Sequence, residues 1–490
     1  MKNPLRRARS SAFKRAPVAC ALAGLLAGLF ALGSAQAQNL PELFAAARAH
    51  DASFEAALAQ FEADRARAAQ AQAGVRPSVA LSGGASWTHR DSSLPGPDRL
   101  LNQQQLTLGA SQPLFRPANQ LALQQAQWAL QAAQARLQSA EQDLIVRTAQ
   151  ATFDVLAAQD RLRFIEAQQQ AVAEQLAAAR RMFEVGATTV TDVREAQARF
   201  DLVRAQQIAA ANELQVNQLA LEQLVGRSPV RPWHLPEGVA LPALPGLPGA
   251  PAATATTPAA GLGTTPAATS SPAASPTTAL PSWVERAQTA HPLLRQAEAG
   301  LQIAALEVQR AQAARGPTVD ATAQLQLARS PNPAQPASGH VRQRDASVGI
   351  QFNLPLYSGG ALQNRIEEAV ALHTRARAEL DAAQRSVTQA TRSAYLGVAS
   401  GIGQVQALQA AQASSQSALD ANRLGLEVGV RINLDVLNAQ SQLFDTKTQL
   451  ARARYEVLLG TLRLRQASGV LSADDLQPIA ALLRAPQPKH

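Results

Sequence analysis

The chain is almost without cysteine: Cys20 is the only one in 490 residues. It lies early in an apolar run, behind Pro17-Val18-Ala19, whereas a lipidated cysteine follows such a run. Loss of the segment that carries it leaves no thiol, which excludes disulfides and thiolate metal sites. Aromatic residues are also scarce, at 4%, low for a compact enzyme core. Beyond the first residues no segment offers about twenty continuous apolar side chains, the length a membrane-spanning helix needs. Membrane entry would therefore require a closed barrel, because lipid leaves open strand edges unsatisfied. No Walker A loop, nucleophile elbow or HExxH motif is present. His50, His89, His234, His291, His340 and His373 stand at no metal-ligand spacing. The sequence thus predicts no enzyme, no cofactor and no metal.

What is present begins with a leader. Lys2, Arg6, Arg7, Arg9, Lys14 and Arg15 precede an apolar run from Pro17 to Gly33, and Ala35-Gln36-Ala37 supplies the small residues of a cleavage site. Residues 1–37 are read as a signal peptide cut before Gln38. Its removal takes six basic and no acidic residues, so the net charge falls from +9 to +3. The case for nucleic-acid binding weakens accordingly.

The remainder is one unit written twice. Glu184-Val185-Gly186, Asp192-Val193 and Ala196-Gln197 return as Glu427-Val428-Gly429, Asp435-Val436 and Ala439-Gln440. Pro113-Leu114-Phe115 returns as Pro355-Leu356-Tyr357, Ala49-His50 as Ala290-His291, and Pro77 as Pro317. Small drifts in offset over so long a span indicate duplication. The predicted organisation is a first repeat over 38–235, a flexible Pro/Ala/Thr-rich insert over 236–281, a second repeat over 282–475 and a tail over 476–490. The insert has too little to bury to offset its ordering entropy.

Each repeat reads helix, strand, strand, very long helix, turn, helix. The first helix is predicted from Leu40 to Gln72. In the strands Val79, Leu81 and Trp87 alternate with Ala80, Ser82 and Thr88, and Leu106 and Leu108 with Thr107 and Gly109. Val319, Leu325 and Leu327 alternate with Asp320, Gln324 and Gln326, and Val348, Ile350 and Phe352 with Ser347, Gly349 and Gln351. Period two with one apolar face fits a strand between lipid and water, or a sheet packed on helices. Export and the polarity of the second face favour the first.

The period then becomes seven. Leu123, Leu130, Leu137 and Leu144 lead into Ala151, Ala158, Ile165, Val172 and Ala179, while Leu443, Leu450, Val457 and Leu464 repeat the step. Val193, Phe200, Leu214 and Leu221 keep it with Gln207 interrupting. No Gly or Pro breaks Asn119 to Glu184, so a rod of about 100 Å follows at ~1.5 Å per residue. Four strands cannot close a membrane barrel, since the smallest single-chain ones use about eight. Copies must share one.

In the order of these pieces the chain resembles the TolC family of outer-membrane efflux and secretion channels. The closest likeness is in Leu354-Pro355-Leu356-Tyr357-Ser358-Gly359-Gly360 and the twice-written Val-Gly…Asp-Val turn. The resemblance implies a mainly α fold with a transmembrane β-barrel: a homotrimer, twelve shared strands, and a long periplasmic α-helical coiled-coil tunnel. It implies a conduit that does no chemistry and docks to an inner-membrane transporter through a periplasmic adaptor. Pro113, Pro355, Gly359 and Gly360 mark strand-to-helix junctions, and Gly186 and Gly429 mark hairpin tips where Thr189 or Asn433 can cap the returning helix.

By position the resemblance assigns Thr191, Asp192, Leu426, Arg431, Asp435 and Asn438 to a periplasmic gate. An Asp192–Arg431 contact would latch it, and three copies of Asp435 would ring the axis. Leu426 stands where a gating tyrosine can occur, and Asn438 replaces a second acidic residue. Asp192 and Asp435 also suit the first turn of a helix without any gate. Two other architectures remain. A periplasmic adaptor would split a β domain with a single hairpin, and a trimeric coiled-coil adhesin would keep its strands at the C-terminus.

Overall fold

The computed structural model describes residues 38–90, 99–230, 232–236, 276–331 and 340–484. The expected signal peptide, most of the expected insert and the end of the expected tail lie outside them.

Helix α1 (Leu40–His50) starts with a capping box between Asn39 and Glu42 and stops one residue before α2 (Ala52–Ala71). The single long helix expected here is broken at Asp51. Its extended backbone (ψ 111°) ends α1, and its carboxylate accepts from the Phe54 amide at 2.7 Å to start α2. Strands β1 (Ser78–Arg90) and β2 (Arg99–Phe115) follow. Pro117 then opens α3 (Pro117–Glu184), 68 residues without a break. Helix α4 (Val190–Val225) returns along it.

The second repeat runs α5 (Pro276–Ala290), α6 (Pro292–Ala313), β3 (Thr318–Pro331), β4 (His340–Asn353), α7 (Ala361–Glu427) and α8 (Asn433–Ala467). Helix α5 begins inside the stretch expected to be an insert. The short α9 (Leu476–Ala480) belongs to the expected tail, yet Leu476, Ile479 and Leu483 are buried. They pack into the largest core cluster, with Leu40, Leu43 and Phe44 of α1, Leu144, Ile145 and Leu156 of α3, Leu221 of α4 and Leu458 and Leu462 of α8. This core sits about midway along α3. Smaller clusters run from it along the paired helices, as heptad packing requires.

The heptad of α8 is buried as expected at Leu443, Leu450, Val457 and Leu464. That of α4 holds at Leu221, buried, and at Leu214, half-buried against the largest cluster, but is displaced nearer the tip. Ala196, Val203 and Ala210 form the buried seam, while Val193 and Phe200 are its half-buried flank.

The four strands form one antiparallel sheet in the order β1-β2-β3-β4, and β2–β3 pairing joins the repeats. Register aligns Val79, Ala110, Ala323 and Val348 in one row, Leu81, Leu108 and Leu325 with Ala346 in the next. The other face carries Ser82, Thr107, Gln326 and Asp345 in one row. All of β4 is exposed, with Val348 at 88% and Ile350 at 74%. Among the described residues no helix covers the apolar face, so the sheet-on-helix alternative fails. Strands β1 and β4 each have one edge without a partner strand among the described residues.

Candidate functional site at the hairpin tips

Both long helices end in the same way. At the first tip Gly186 has φ 74°, its amide donates to the Phe183 carbonyl at 3.0 Å, and the Ala187 amide reaches the Met182 carbonyl at 2.8 Å. At the second, Gly429 has φ 78°, and the Gly429 and Val430 amides donate to Leu426 and Gly425 at 3.1 and 2.9 Å. These paired bonds close a helix terminus through a left-handed residue, which glycine adopts without strain.

The starts of the returning helices differ. Thr189 caps α4 as expected, in a capping box with Asp192. Asp192 Oδ2 accepts from Thr188 Oγ1 at 2.5 Å, Thr189 Oγ1 at 2.8 Å and the Thr189 amide at 3.0 Å. The Thr188 hydroxyl, then the Thr189 groups, hold the Asp192 carboxyl below the usual range. Thr191 beside it is exposed. On the second tip Asn433 is not the cap. Ile432 takes that position without a side-chain bond, and Asn433 Oδ1 is buried without a hydrogen-bond partner.

Within the chain Arg431 pairs with Asp435 at 3.6 Å, one turn along the same segment, and not with Asp192. Asp192 is committed to its capping box, so the expected latch is not closed inside one chain. Leu426 is half-buried against the Leu419, Val436 and Leu443 cluster, which fixes it as packing between α7 and α8. Asn438 Oδ1 accepts from Arg199 Nη2 at 2.7 Å. That bond, with Leu437 buried among Ile165, Val172 and Val203, ties the two hairpins near their tips. Sequence reading missed Arg199, since nothing in its own surroundings marks a partner so distant in the chain.

The junctions at the other end also differ. Gly359 and Gly360 have φ 63° and 86° and turn β4 into α7. The first repeat has no glycine there. Pro113 stays within β2, beyond Ser111, the last residue paired to β1, so its missing donor removes no bond to that strand. A register shift between Pro113 and Phe115 makes the bend, and Pro355 follows β4. Arg116 and Asp320 form an ion pair across this junction, between repeats. At mid-rod, Arg147 holds Asp51 through 3.0 and 3.3 Å bonds, and the buried Tyr455 hydroxyl donates to Asp160 at 2.8 Å.

Two long hairpins closed by left-handed glycines and joined to a two-faced sheet make up the architecture. A family model described as "Outer membrane efflux protein" matches residues 43–227 and 283–470. The Vibrio cholerae outer membrane protein TolC is 29% identical over 449 residues, 91% of this chain and 94% of that protein. The proteases secretion protein PrtF of Dickeya chrysanthemi is 30% identical over 464 residues, 92% of each. Among solved structures, the CmeC outer membrane channel of Campylobacter jejuni superposes with a TM-score of 0.71 at 15% identity, over 91% of this chain and 90% of that one. The chain belongs to the outer membrane efflux protein family.

Proposed function

We propose that this chain is the outer-membrane channel component of an efflux pump or type I secretion system, a conduit from periplasm to exterior. The observation that carries the reading is the sheet. Among the described residues one face is apolar and uncovered, the other polar, and both outer edges lack a partner strand. Lipid on the first face and water on the second satisfy the side chains, but nothing within one chain satisfies the edges. Three copies pairing β1 with the next β4 close a twelve-stranded barrel, within the range of such structures. Leu202, Ile208, Val216 and Leu219, exposed on α4, then find neighbours along the rod.

The helices extend this barrel into the periplasm, where the tips meet a periplasmic adaptor and, through it, an inner-membrane transporter. The family description supports efflux as a setting, and the name of the PrtF relative supports secretion. The gate lies at the tips. Arg431 exchanges its weak intrachain partner Asp435 for acceptors on the neighbouring subunit, and three Asp435 carboxylates line the entrance. An adaptor or adhesin reading has no place for four strands drawn from both repeats into one sheet.

The test is to purify the mature protein in detergent, determine its stoichiometry and insert it into planar bilayers. A trimer with discrete conductance is expected. A monodisperse monomer in water without detergent would overturn the assignment, and crosslinking in cells identifies the inner-membrane partner.

A further inference from the structure

The apolar face of the sheet does not stay apolar to its end. Moving away from the helices, the row of Gly83, Leu106 and Leu327 brings in Arg344 of β4, and the next sets Arg342 directly opposite Arg329, beside Gln104 and Ala85. All three arginines are exposed, and among the described residues they form no ion pair. No acidic residue occurs on that face of any of the four strands: Asp320 and Asp345 both project to the other side. The β1 face that a neighbouring copy would lay beside β4 carries Ala85, Trp87 and His89 there, and no carboxylate either.

Like charges directly opposite on adjacent strands destabilise a sheet. Arg329 facing Arg342, with Arg344 on the diagonal, is such an arrangement, and an anion between the guanidinium groups would relieve it. Its height is informative. From Phe352 back to Arg342 the strand covers about 33 Å at ~3.3 Å per residue. At a tilt of about 40° that rises about 25 Å, the height of the lipid-facing band in such barrels. Phe115 and Phe352, which share one row through Val319, mark the rim nearest the helices. The arginines mark the opposite rim, where headgroups of the outer leaflet lie.

Resting on the channel reading above, we propose that Arg329, Arg342 and Arg344 form a collar that binds the phosphate groups of outer-leaflet lipid headgroups. Guanidinium suits this role, because its planar fork binds phosphate oxygens in pairs while its stem stays in the apolar belt. Three copies place one such cluster in each third of the barrel.

The test uses the full-length mature trimer in detergent, incubated with bisphosphorylated lipid A, with its dephosphorylated form, or with the former plus excess inorganic phosphate. Lipid retained is read by native mass spectrometry. The unaltered protein should retain the phosphorylated lipid, release the dephosphorylated one and resist displacement by inorganic phosphate. An R329Q/R342Q/R344Q variant should retain about tenfold less, given the worth of charge-assisted hydrogen bonds, while R375Q on α7 should match the unaltered protein. Equal retention of both lipids, displacement by inorganic phosphate, or full retention by the triple variant overturns the collar. The two-lipid comparison needs only the unaltered protein, so it decides the matter even where the variant assembles poorly. Conductance is recorded on the same samples. A conducting trimer without lipid discrimination sinks the collar alone, whereas a non-conducting monomer sinks the channel.

Discussion

The side chain of Arg431 lies across Gly425, so closely that a methyl group added to the glycine would stand 2.6 Å from Arg431 Cγ. The carbonyl of the same glycine accepts from the Val430 and Arg431 amides. Gly425 thus holds both the backbone and the side chain of the tip arginine.

Gly425→Ala should displace Arg431 without removing its charge, and Arg431→Ala should remove both. If Arg431 helps hold the tips shut, each substitution raises single-channel conductance. Unchanged conductance for Arg431→Ala in planar bilayers would count against the gate, and an effect of Gly425→Ala alone would assign the closure to tip shape.

Asp51 supplies an acid-sensitive contact. Burial alone would raise its pKa, but the Arg147 hydrogen bond, followed by the Ser53 hydroxyl and the Phe54 amide, brings it from 3.8 to about 2. A depressed carboxylate pKa contributes stability above the unfolded value, and that contribution fades as pH falls from 3.8 through about 2. Thermal melting of the trimer across that range should show this loss in the unaltered protein, and a flatter profile for Asp51→Asn.

Gly226 ends α4 in the left-handed conformation, φ 71°, beneath the His50 ring, where an added Cβ would stand 2.3 Å from His50 Cγ. Gly186 has the same backbone at φ 74° but open space around it. Gly186→Ala should cost about 1–2 kcal/mol for the conformation alone. Gly226→Ala should lower the melting temperature further, because the ring must also move. Similar shifts for the two would show that the His50 contact yields easily.

Adjacent strand positions should differ sharply. Val348→Lys places a charge on the lipid face and should cost about 2–4 kcal/mol near the middle of the membrane, seen as loss of detergent-resistant trimer. Ser347→Lys, on the polar face, should assemble normally and alter ion selectivity instead. Equal tolerance would reverse the assignment of the two faces.

The duplication, the strands and the uninterrupted α3 were legible in the sequence because each is written in local periodicity. Phe352 and Gln351 declare opposite faces by alternation alone. The break at Asp51 was not, since an aspartate between two helical patterns looks like an ordinary helix residue until Arg147, from a distant helix, engages it. Asn433 looked like a cap by composition, yet the chain entered α8 one residue earlier, at Ile432. Near the tip the α4 seam lies on Ala196, Val203 and Ala210 rather than on Val193 and Phe200, while Leu221 is buried where the heptad placed it. At the tips the glycines and the Thr189 cap were readable, while the box that Asp192 completes and the bond from Arg199 to Asn438 were not, the latter because it depends on how two hairpins lean together.

The unpaired margins of β1 and β4 carry a genetic consequence. A subunit whose strand register is damaged spoils two seams at once, one with each companion, and no companion can mend it. Where intact and damaged chains are made together and mix at random, sound assemblies fall as the cube of the intact fraction. Lesions in these two strands should therefore behave as dominant, poisoning export even in cells that still make the healthy protein.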